Sequence, residues 1–466
     1  MTITNESATS TDTVAARVAT LRTTFDSGVT RSLEWRHEQL DGLIRFCDEQ
    51  GDALIDAIAS DLGRPWLEAY AADIGTTAAE IKHLRKNVEK WMKPRKAKLP
   101  LTSLPAKGRI HAEPLGVALV IAPWNYPVQL LLEPIAAALA AGNTVAAKPS
   151  ELSPATSAVI AATLGDYVDR TIVAVFEGDV PVSTALLEQR FDHIFFTGST
   201  RVGKVVMKAA AEHLTPVTLE LGGKSPCIVD DSVDLEVAAH RIAWGKWLNA
   251  GQTCIAPDYV LVSADRRDAL VTELGKVVEE FYGDDPRGTK DFGRVVNQAQ
   301  HERLVGYLGG QNIAIGGDHD AATNYLAPTV VIDPPLDSAL MTEEIFGPIL
   351  PIVAIDNLSE AIQFVNERPK PLALYIFAED DDAVERVLAE TSSGGACVNH
   401  TLLHITPPDL PFGGVGPSGM GRYHGESSFE TFSNMKSVLN KPLKGENSLL
   451  YPPYKGWKQK LVKKAL

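Results

Sequence analysis

The sequence predicts an α/β protein built on a parallel sheet, because short apolar runs alternate with helical segments along the chain. Its 466 residues are 45% hydrophobic and 22% charged, which is an ordinary globular composition for two or three domains. Five strand candidates lie in the first half: Val117–Ile121, Thr144–Ala147, Thr171–Phe176, His193–Phe196 and Val217–Leu221. This alternation is typical of a sheet covered by helices on both faces, and right-handed connections would make it Rossmann-like.

Helical segments precede and separate these strands. Residues 33–62 have an amphipathic pattern that places Cys47 on the apolar face, so Cys47 is predicted to lie in the core. A helix is expected to run to Ala141, and others at about 155–165, 182–190 and 201–213. Ser153 before Pro154 is typical of a helix N-cap. Residues 94–110 hold three prolines and five lysines or arginines, which indicates an extended excursion.

A second α/β region is predicted between residues 225 and 410. Its strand candidates are Pro226–Val229, Tyr259–Val262, Thr329–Ile332, Leu372–Phe377 and Ala396–Asn399.

The most hydrophobic stretch, Leu115 to Ala147, carries one charge, Glu133, and is the candidate for a membrane span. Three prolines interrupt it, and prolines break a spanning helix. A buried strand, turn and helix is therefore the better interpretation, and no transmembrane segment is expected. The first 13 residues are polar and carry acids, unlike a signal peptide.

Charge and cysteine content exclude further classes. The net charge of −15 argues against a nucleic-acid-binding surface, which needs clustered positive charge. The four cysteines form no Cys-x-x-Cys pair, so neither a metal site nor a redox motif is indicated. So few cysteines in so long a chain are typical of a reducing compartment, and we expect a cytoplasmic protein.

Two segments could bind a nucleotide. Gly198 to Lys204 follows a strand, opens a helix and matches Gly-x-x-x-x-Gly-Lys, but Val205 replaces the metal-binding hydroxyl of a P-loop. A phosphate site and a plain tight turn remain equally plausible here. Lys148 and Glu151 follow another strand and could hold ribose hydroxyls, although a solvated turn is the commoner explanation.

Three polar side chains are candidates for the chemistry. Glu220 ends a strand before two glycines, where partial burial would raise its pKa toward that of a useful base; pairing with a lysine is the alternative. Cys254 follows Gly251, which we expect to end a helix, and so lies on a polar loop, unlike Cys227 and Cys397 in apolar runs. Asn125 could donate to an oxyanion, or could simply be a turn residue.

Five segments occur together in a recognisable order: Trp124–Pro127, Glu220–Pro226, Gly251–Cys254, Glu343–Pro348 and Pro411–Gly425. They resemble the aldehyde dehydrogenase superfamily, and most closely its class-3 branch, which oxidises medium- and long-chain aliphatic and aromatic aldehydes. The resemblance extends from about residue 30 to Tyr454.

The resemblance implies NAD-dependent oxidation of aldehydes to carboxylic acids, with NADP also possible. It implies that Cys254 is the nucleophile, that Asn125 binds the oxyanion and that Glu220 activates water to hydrolyse a thioester. The cofactor contacts that it implies are Lys148 and Glu151 for the adenosine ribose, Gly198 and Ser199 for the pyrophosphate, and Glu344 and Phe346 for the nicotinamide ribose and ring. A hydrolase and a CoA-acylating dehydrogenase remain as alternatives.

The resemblance also implies a domain organisation and a homodimer. We expect a dinucleotide-binding domain at 1–97 and 112–220, and a catalytic domain at 221–411. An oligomerisation arm is expected at 98–111 and 426–446, followed by a tail at 447–466. That tail has five lysines and no acids from Lys455 onward, and we expect it to be solvated rather than bound to a membrane surface.

Overall fold

The computed structural model describes residues 9–100, 103–445 and 451–465. In these residues the strands form four sheets. The strands are β1 Arg95–Ala97, β2 Lys107–Pro114, β3 Val117–Ile121, β4 Thr144–Lys148, β5 Val173–Val175, β6 His193–Thr197, β7 Val217–Glu220, β8 Pro226–Val229, β9 Tyr259–Ser263, β10 Ile313–Ile315, β11 His319–Asp320, β12 Tyr325–Leu326, β13 Thr329–Ile332, β14 Ile349–Ile355, β15 Ala373–Phe377, β16 Gly395–Val398, β17 Gly419–Met420 and β18 Ser433–Asn440.

Helices cover the two large sheets. They are α1 Thr11–Asp26, α2 Leu33–Leu62, α3 Trp66–Ala69, α4 Gly75–Met92, α5 Gln129–Ala141, α6 Pro154–Thr163, α7 Val180–Leu187, α8 Thr200–Ala211, α9 Leu235–Trp247, α10 Ala264–Tyr282, α11 Gln298–Tyr307, α12 Ala339–Thr342, α13 Leu358–Asn366, α14 Asp381–Glu390, α15 Gly425–Thr431 and α16 Gly456–Ala465. No helix in the described ranges is long and apolar enough to cross a membrane.

The first large sheet has the order β17-β7-β6-β3-β4-β5, and its last five strands are parallel. All five strands predicted in the first half of the chain are in it. The central strand β3 is buried at every position, which explains its continuous apolar run. The two-residue strand β17 adds an antiparallel edge, with Gly419 opposite Glu220.

The second large sheet has the order β10-β13-β14-β9-β8-β15-β16, with only β10 antiparallel. The five strands predicted in this half are present. Two further strands were not predicted, and one of them, β14, lies near the sheet's centre. The sequence does not predict β14 because the strand contains Pro351, and proline is rare in central strands.

The excursion predicted at residues 94–110 forms strands of a separate antiparallel sheet with the order β1-β2-β18. Its longest pairing runs from Ser433 opposite Pro114 to Asn440 opposite Lys107. Of these strands, β18 falls within the predicted arm, β1 lies just before it, and β2 runs beyond it to Pro114. Residues 101, 102 and 446 of the arm lie outside the described residues. Residues 447–450 and 466 of the predicted tail do so as well.

The fold is the predicted α/β fold, and it places the site. Because β3, β4, β6 and β7 are parallel, the loops that follow them meet at one edge of the sheet. That edge carries Asn125, Lys148, Ser199 and the strand-end residue Glu220. The predicted boundaries of the two domains stay a prediction.

Candidate active site

Three of the predicted site residues, Asn125, Glu220 and Cys254, line a single cleft of about 260 Å³. The same cleft is lined by four of the predicted cofactor residues: Gly198, Ser199, Glu344 and Phe346. Residues from the loops after β3, β6 and β7 therefore face residues that follow α9 and α12.

Cys254 lies on a loop, but the helix before it ends earlier than expected. We predicted that Gly251 ends this helix, and that is wrong: α9 ends at Trp247, and a tight turn follows. Asn249 and Ala250 in this turn both have a φ of 52°, and Gly251 has a φ of 75°. Left-handed non-glycine residues are strained, and such strain clusters at functional sites.

The thiol of Cys254 is free and partly buried. Burial raises the pKa of Cys254 to about 12, and the nearby Glu344 and Glu220 carboxyls add to that rise. The backbone N–H groups of Cys254 and Ile255 oppose it. The thiol must therefore lose its proton, or gain a positive neighbour, before it can act as a nucleophile.

The remaining cysteines differ in their surroundings. Cys47 is buried in the core as predicted, and Cys227 is buried in β8. Cys397 was expected to be buried in an apolar run, but it is only partly buried, because β16 is an edge strand. Within the described residues all of them are free thiols.

The Asn125 side chain is fixed rather than solvated. Asn125 is 2% exposed, and its amide donates to the Gln252 carbonyl at 3.0 Å. The carbonyl of Asn125 accepts from the Asn249 side chain at 2.9 Å and from Arg64. The loop after β3 thus holds a neutral donor in one orientation beside the turn that carries Cys254.

Glu220 is buried at the end of β7, and neither of its carboxyl oxygens has a partner among the residues that the structure describes. Burial raises the pKa of Glu220 well above its usual value, while the positive charge of Arg422 opposes that shift. The alternative of a lysine partner is wrong, because Lys224 pairs with Asp258. Burial therefore favours the neutral form of Glu220, and its ionised form is a stronger base than an ordinary carboxylate.

Glu344 and Phe346 line the cleft from a loop in which one residue has a left-handed backbone conformation. Phe346 has a φ of 49°, and its ring packs edge-on against Trp124 at 5.4 Å. A Cβ at Gly222 would come within 2.1 Å of Glu344 Oε2, so a larger residue there would displace the Glu344 carboxyl. Burial raises the pKa of Glu344 to about 8, and its Oε1 has no partner in the described part of the chain.

The other predicted cofactor residues lie along the same sheet edge. Ser199 caps α8, whose N-terminus suits an anion, so the Gly198 segment is both a tight turn and a phosphate candidate. Lys148 is buried and donates to Glu151 at 2.8 Å. Glu151 lines a neighbouring groove of about 650 Å³, where Glu177 also lies.

These residues fit a dinucleotide. The buried, unpartnered oxygen of Glu344 can accept a hydrogen bond from a ribose hydroxyl. The N-terminus of α8 can face a pyrophosphate, and the Lys148–Glu151 pair can face a second ribose. We did not predict Gln300 and Arg303, which line the cleft from α11. Nothing in the local pattern of that amphipathic helix distinguishes them from surface residues.

The comparisons with known proteins identify related chains. The profile of the aldehyde dehydrogenase family matches residues 2–438. "Aldehyde dehydrogenase family 3 member A2" from Mus musculus is 49% identical over 94% of this chain and 91% of its own. "Aldehyde dehydrogenase, dimeric NADP-preferring" from Canis lupus familiaris is 47% identical over 93% of this chain and 96% of its own.

Solved structures share the fold. The structure described as the substrate-bound state of Staphylococcus aureus AldH has a TM-score of 0.94 and 45% identity, and the match covers 97% of this chain and 99% of that one. An indole-3-acetaldehyde dehydrogenase complexed with NAD+ has a TM-score of 0.85 and 27% identity, over 93% of this chain and 90% of that one.

Proposed function

The chain belongs to the aldehyde dehydrogenase family, and on that basis we propose which of its residues carry out aldehyde oxidation. The enzyme converts aldehydes to carboxylic acids with NAD or NADP. One observation carries the assignment of residues: Cys254, Asn125 and Glu220 line a cleft whose other residues, Glu344 and Phe346, suit a nicotinamide ribose and ring.

Cys254 is the nucleophile. Its thiolate adds to the aldehyde carbon, a C–S bond forms, and the carbonyl π electrons move to oxygen to give a thiohemiacetal. The Asn125 amide and the Cys254 backbone N–H hold that oxygen. An uncharged donor suits this position, because a lysine would stabilise the negative charge so strongly that hydride would leave slowly.

The cofactor residues orient the reacting partners. When bound, NAD(P)+ supplies the hydride acceptor that turns the thiohemiacetal into a thioester. Glu344 and Phe346 hold the nicotinamide ribose and ring, and Gly198 and Ser199 face the pyrophosphate. Lys148 and Glu151 hold the adenosine ribose. Glu151 accepts from a 2′-hydroxyl and repels a 2′-phosphate, so we propose that NAD is preferred and NADP is accepted.

Glu220 completes the cycle as the general base for hydrolysis. Its carboxylate takes a proton from water, the water oxygen bonds to the thioester carbon, and the C–S bond breaks to release the acid and the thiolate. The raised pKa of Glu220 makes its ionised form a strong proton acceptor. A Cβ at position 413 would lie 3.1 Å from Glu220 Oε1. Because Gly413 has no side chain, the Glu220 carboxyl has room to move.

We propose that the enzyme is a homodimer. Within the described residues, β18 pairs with β2 on one edge only, and the edge strand β16 of the second large sheet is partly exposed. Such open edges accept another strand. A relative carries the word dimeric in its name. We also propose a cytoplasmic location, which the four unpaired thiols support, and a solvated lysine-rich tail.

The substitution Cys254→Ser tests the assignment. We expect it to abolish NAD(P)-dependent oxidation across a panel of aliphatic and aromatic aldehydes, while the far-UV circular dichroism spectrum stays unchanged. Normal oxidation by this variant would overturn the role of Cys254. Product formation by the unaltered enzyme without nicotinamide would support a hydrolase instead, and a CoA-dependent product would support a CoA-acylating dehydrogenase.

A further inference from the structure

We propose that Arg64 is a positioning residue for aldehyde oxidation, because it ties the oxyanion donor Asn125 to the turn that carries the nucleophile. This role rests on the proposed function of Asn125 and Cys254. Arg64 lies outside every motif that indicated the function, in the loop between α2 and α3, and it does not line the cleft.

Arg64 is a charged group in the protein interior. It is 2% exposed, and the side chains of Arg64 and its ion-pair partner Asp73 are fully buried. Burying an ion costs several kcal/mol unless charge and hydrogen bonds compensate it. An arginine is kept at such a position only where its contacts offset that cost, so the partners of its guanidinium indicate what it does.

The guanidinium contacts three separate segments of chain. Its Nε donates to the Asn249 side chain at 3.0 Å, and its Nη1 donates to Asp73 at 3.1 Å. Its Nη2 donates to the carbonyl of Asn125. The same group lies over the ring of Tyr126, 4.5 Å from the ring's centre, which is a favourable cation–π distance.

Hydrogen bonds join these partners into a closed ring beside the nucleophile. The Asn249 amide donates to the carbonyl of Asn125 at 2.9 Å and to that of Gln252 at 3.2 Å. The Asn125 amide donates to the same Gln252 carbonyl at 3.0 Å. Arg64 thus bonds both to the loop of the oxyanion donor and to the strained residue Asn249.

Asp73 fixes the other end of the loop that carries Asn125. Its Oδ1 accepts from the backbone N–H groups of Val128 at 3.1 Å and Gln129 at 2.5 Å, where α5 begins. Its Oδ2 accepts from Arg64. The loop from Asn125 to Gln129 is therefore held at one end by Arg64 and at the other by the Asp73 carboxylate with which Arg64 pairs.

Loss of that guanidinium should affect chemistry rather than cofactor binding. Asn125 would lose a donor to its backbone carbonyl, and Asn249 would lose a donor to its side-chain carbonyl. Among the described residues, Arg64 donates hydrogen bonds to Asn249, Asp73 and Asn125, and to none of the residues proposed to bind the dinucleotide. The oxyanion donor would shift while the cofactor groove stays intact.

The experiment compares Arg64→Met with Arg36→Met as a matched control. Arg36 is 4% exposed in the same domain and donates to the Ala140 carbonyl at 2.9 Å, away from the cleft. Single-turnover reduction of NAD+ and the Kd of NAD+ are measured for both variants. We expect Arg64→Met to slow the single turnover about a hundredfold, the scale of an ångström's misplacement, with the Kd unchanged. Arg36→Met should keep the wild-type rate per folded molecule.

Two further variants keep the proposal open to refutation. Arg64→Lys retains the charge that faces Asp73 but cannot reach three segments, so it should fold and still react slowly. In the double variant Arg64→Met/Asn125→Ala, the rate should equal that of Asn125→Ala alone, because Arg64 acts through the Asn125 amide, which that variant lacks.

The positioning role would be overturned by a wild-type single-turnover rate in Arg64→Lys and Arg64→Met. It would also be overturned if Arg36→Met lost as much rate as Arg64→Met, or if the two rate losses multiplied in the double variant. Full activity in Asn125→Ala would instead overturn the proposed oxyanion donor, so the two failures are distinguishable.

Discussion

The side-chain amide of Asn125 donates to the backbone carbonyl of Gln252 at 3.0 Å, which joins two segments separated by 127 positions in the sequence. An asparagine amide has two N–H groups, and this bond uses one of them. The second N–H remains available to a ligand in the cleft that Asn125 and Cys254 both line. The hydrogen bond therefore sets the orientation of the donor before any substrate arrives.

Replacing Asn125 with alanine should raise the barrier of the chemical step by ~3 kcal/mol, the scale of one oxyanion donor. The rate of NAD+ reduction in a single turnover measures this barrier. Asn143→Ala is the control, because Asn143 is a buried amide that donates to the carbonyls of Ala138 and Phe432, away from the cleft. A loss of less than about tenfold in Asn125→Ala, roughly 1.4 kcal/mol, would argue against the donor role.

Replacing Glu220 with glutamine should change how stability depends on pH. Burial raises the pKa of Glu220 well above 4.5 in the folded state, while the charge of Arg422 opposes the shift. The folded state then binds a proton that the unfolded state has released. Above the unfolded pKa this carboxyl therefore lowers the free energy of unfolding by up to about 1.4 kcal/mol per pH unit.

Glutamine stays neutral, so the melting temperature of Glu220→Gln should exceed that of the unaltered enzyme by more at pH 8 than at pH 5. Glu188→Gln removes an exposed acid and should show no such trend. A difference for Glu220→Gln that stays constant or shrinks as the pH rises would mean that this carboxyl is not held neutral.

Replacing Glu151 with glutamine should shift cofactor preference toward NADP. The carboxylate accepts from Lys148 at 2.8 Å, and without it the Lys148 ammonium can face a 2′-phosphate. We expect the ratio of kcat/KM for NADP+ to that for NAD+ to rise about tenfold, or roughly 1.4 kcal/mol. Glu188→Gln again serves as the control of equal charge. If this ratio of kcat/KM values stayed unchanged, Glu151 would not be a residue of the adenosine site.

Most of the fold could be predicted from the sequence, because its large sheets are parallel and buried. Such strands are short apolar runs set between helices, so β3, β8 and β13 were predicted at their observed bounds. The strand β14 was missed because Pro351 interrupts its apolar run. The three left-handed residues after Trp247 were missed because packing, rather than local sequence, holds Asn249 and Ala250 in that conformation.

The residues of the candidate site also divide into those that the sequence predicts and those that it does not. Residues in motifs, such as Cys254 and Glu220, could be singled out because their neighbours are unusual. Arg64 and Arg303 could not, since each acts through a tertiary contact with backbone far along the chain. Arg303, for example, donates to the carbonyl of Ile345 at 2.7 Å and so holds the loop of Glu344 and Phe346.

Trapping the acyl-enzyme tests the central claim most directly. In Glu220→Gln, hydrolysis should be slow, so one equivalent of NADH per site should form in a burst before a slow steady state. Peptide mass spectrometry of enzyme quenched after the burst should then locate the substrate's acyl group on Cys254. The added Cys254→Ser change should remove both burst and adduct. An adduct on another residue, or a normal burst with no adduct on Cys254, would contradict the account.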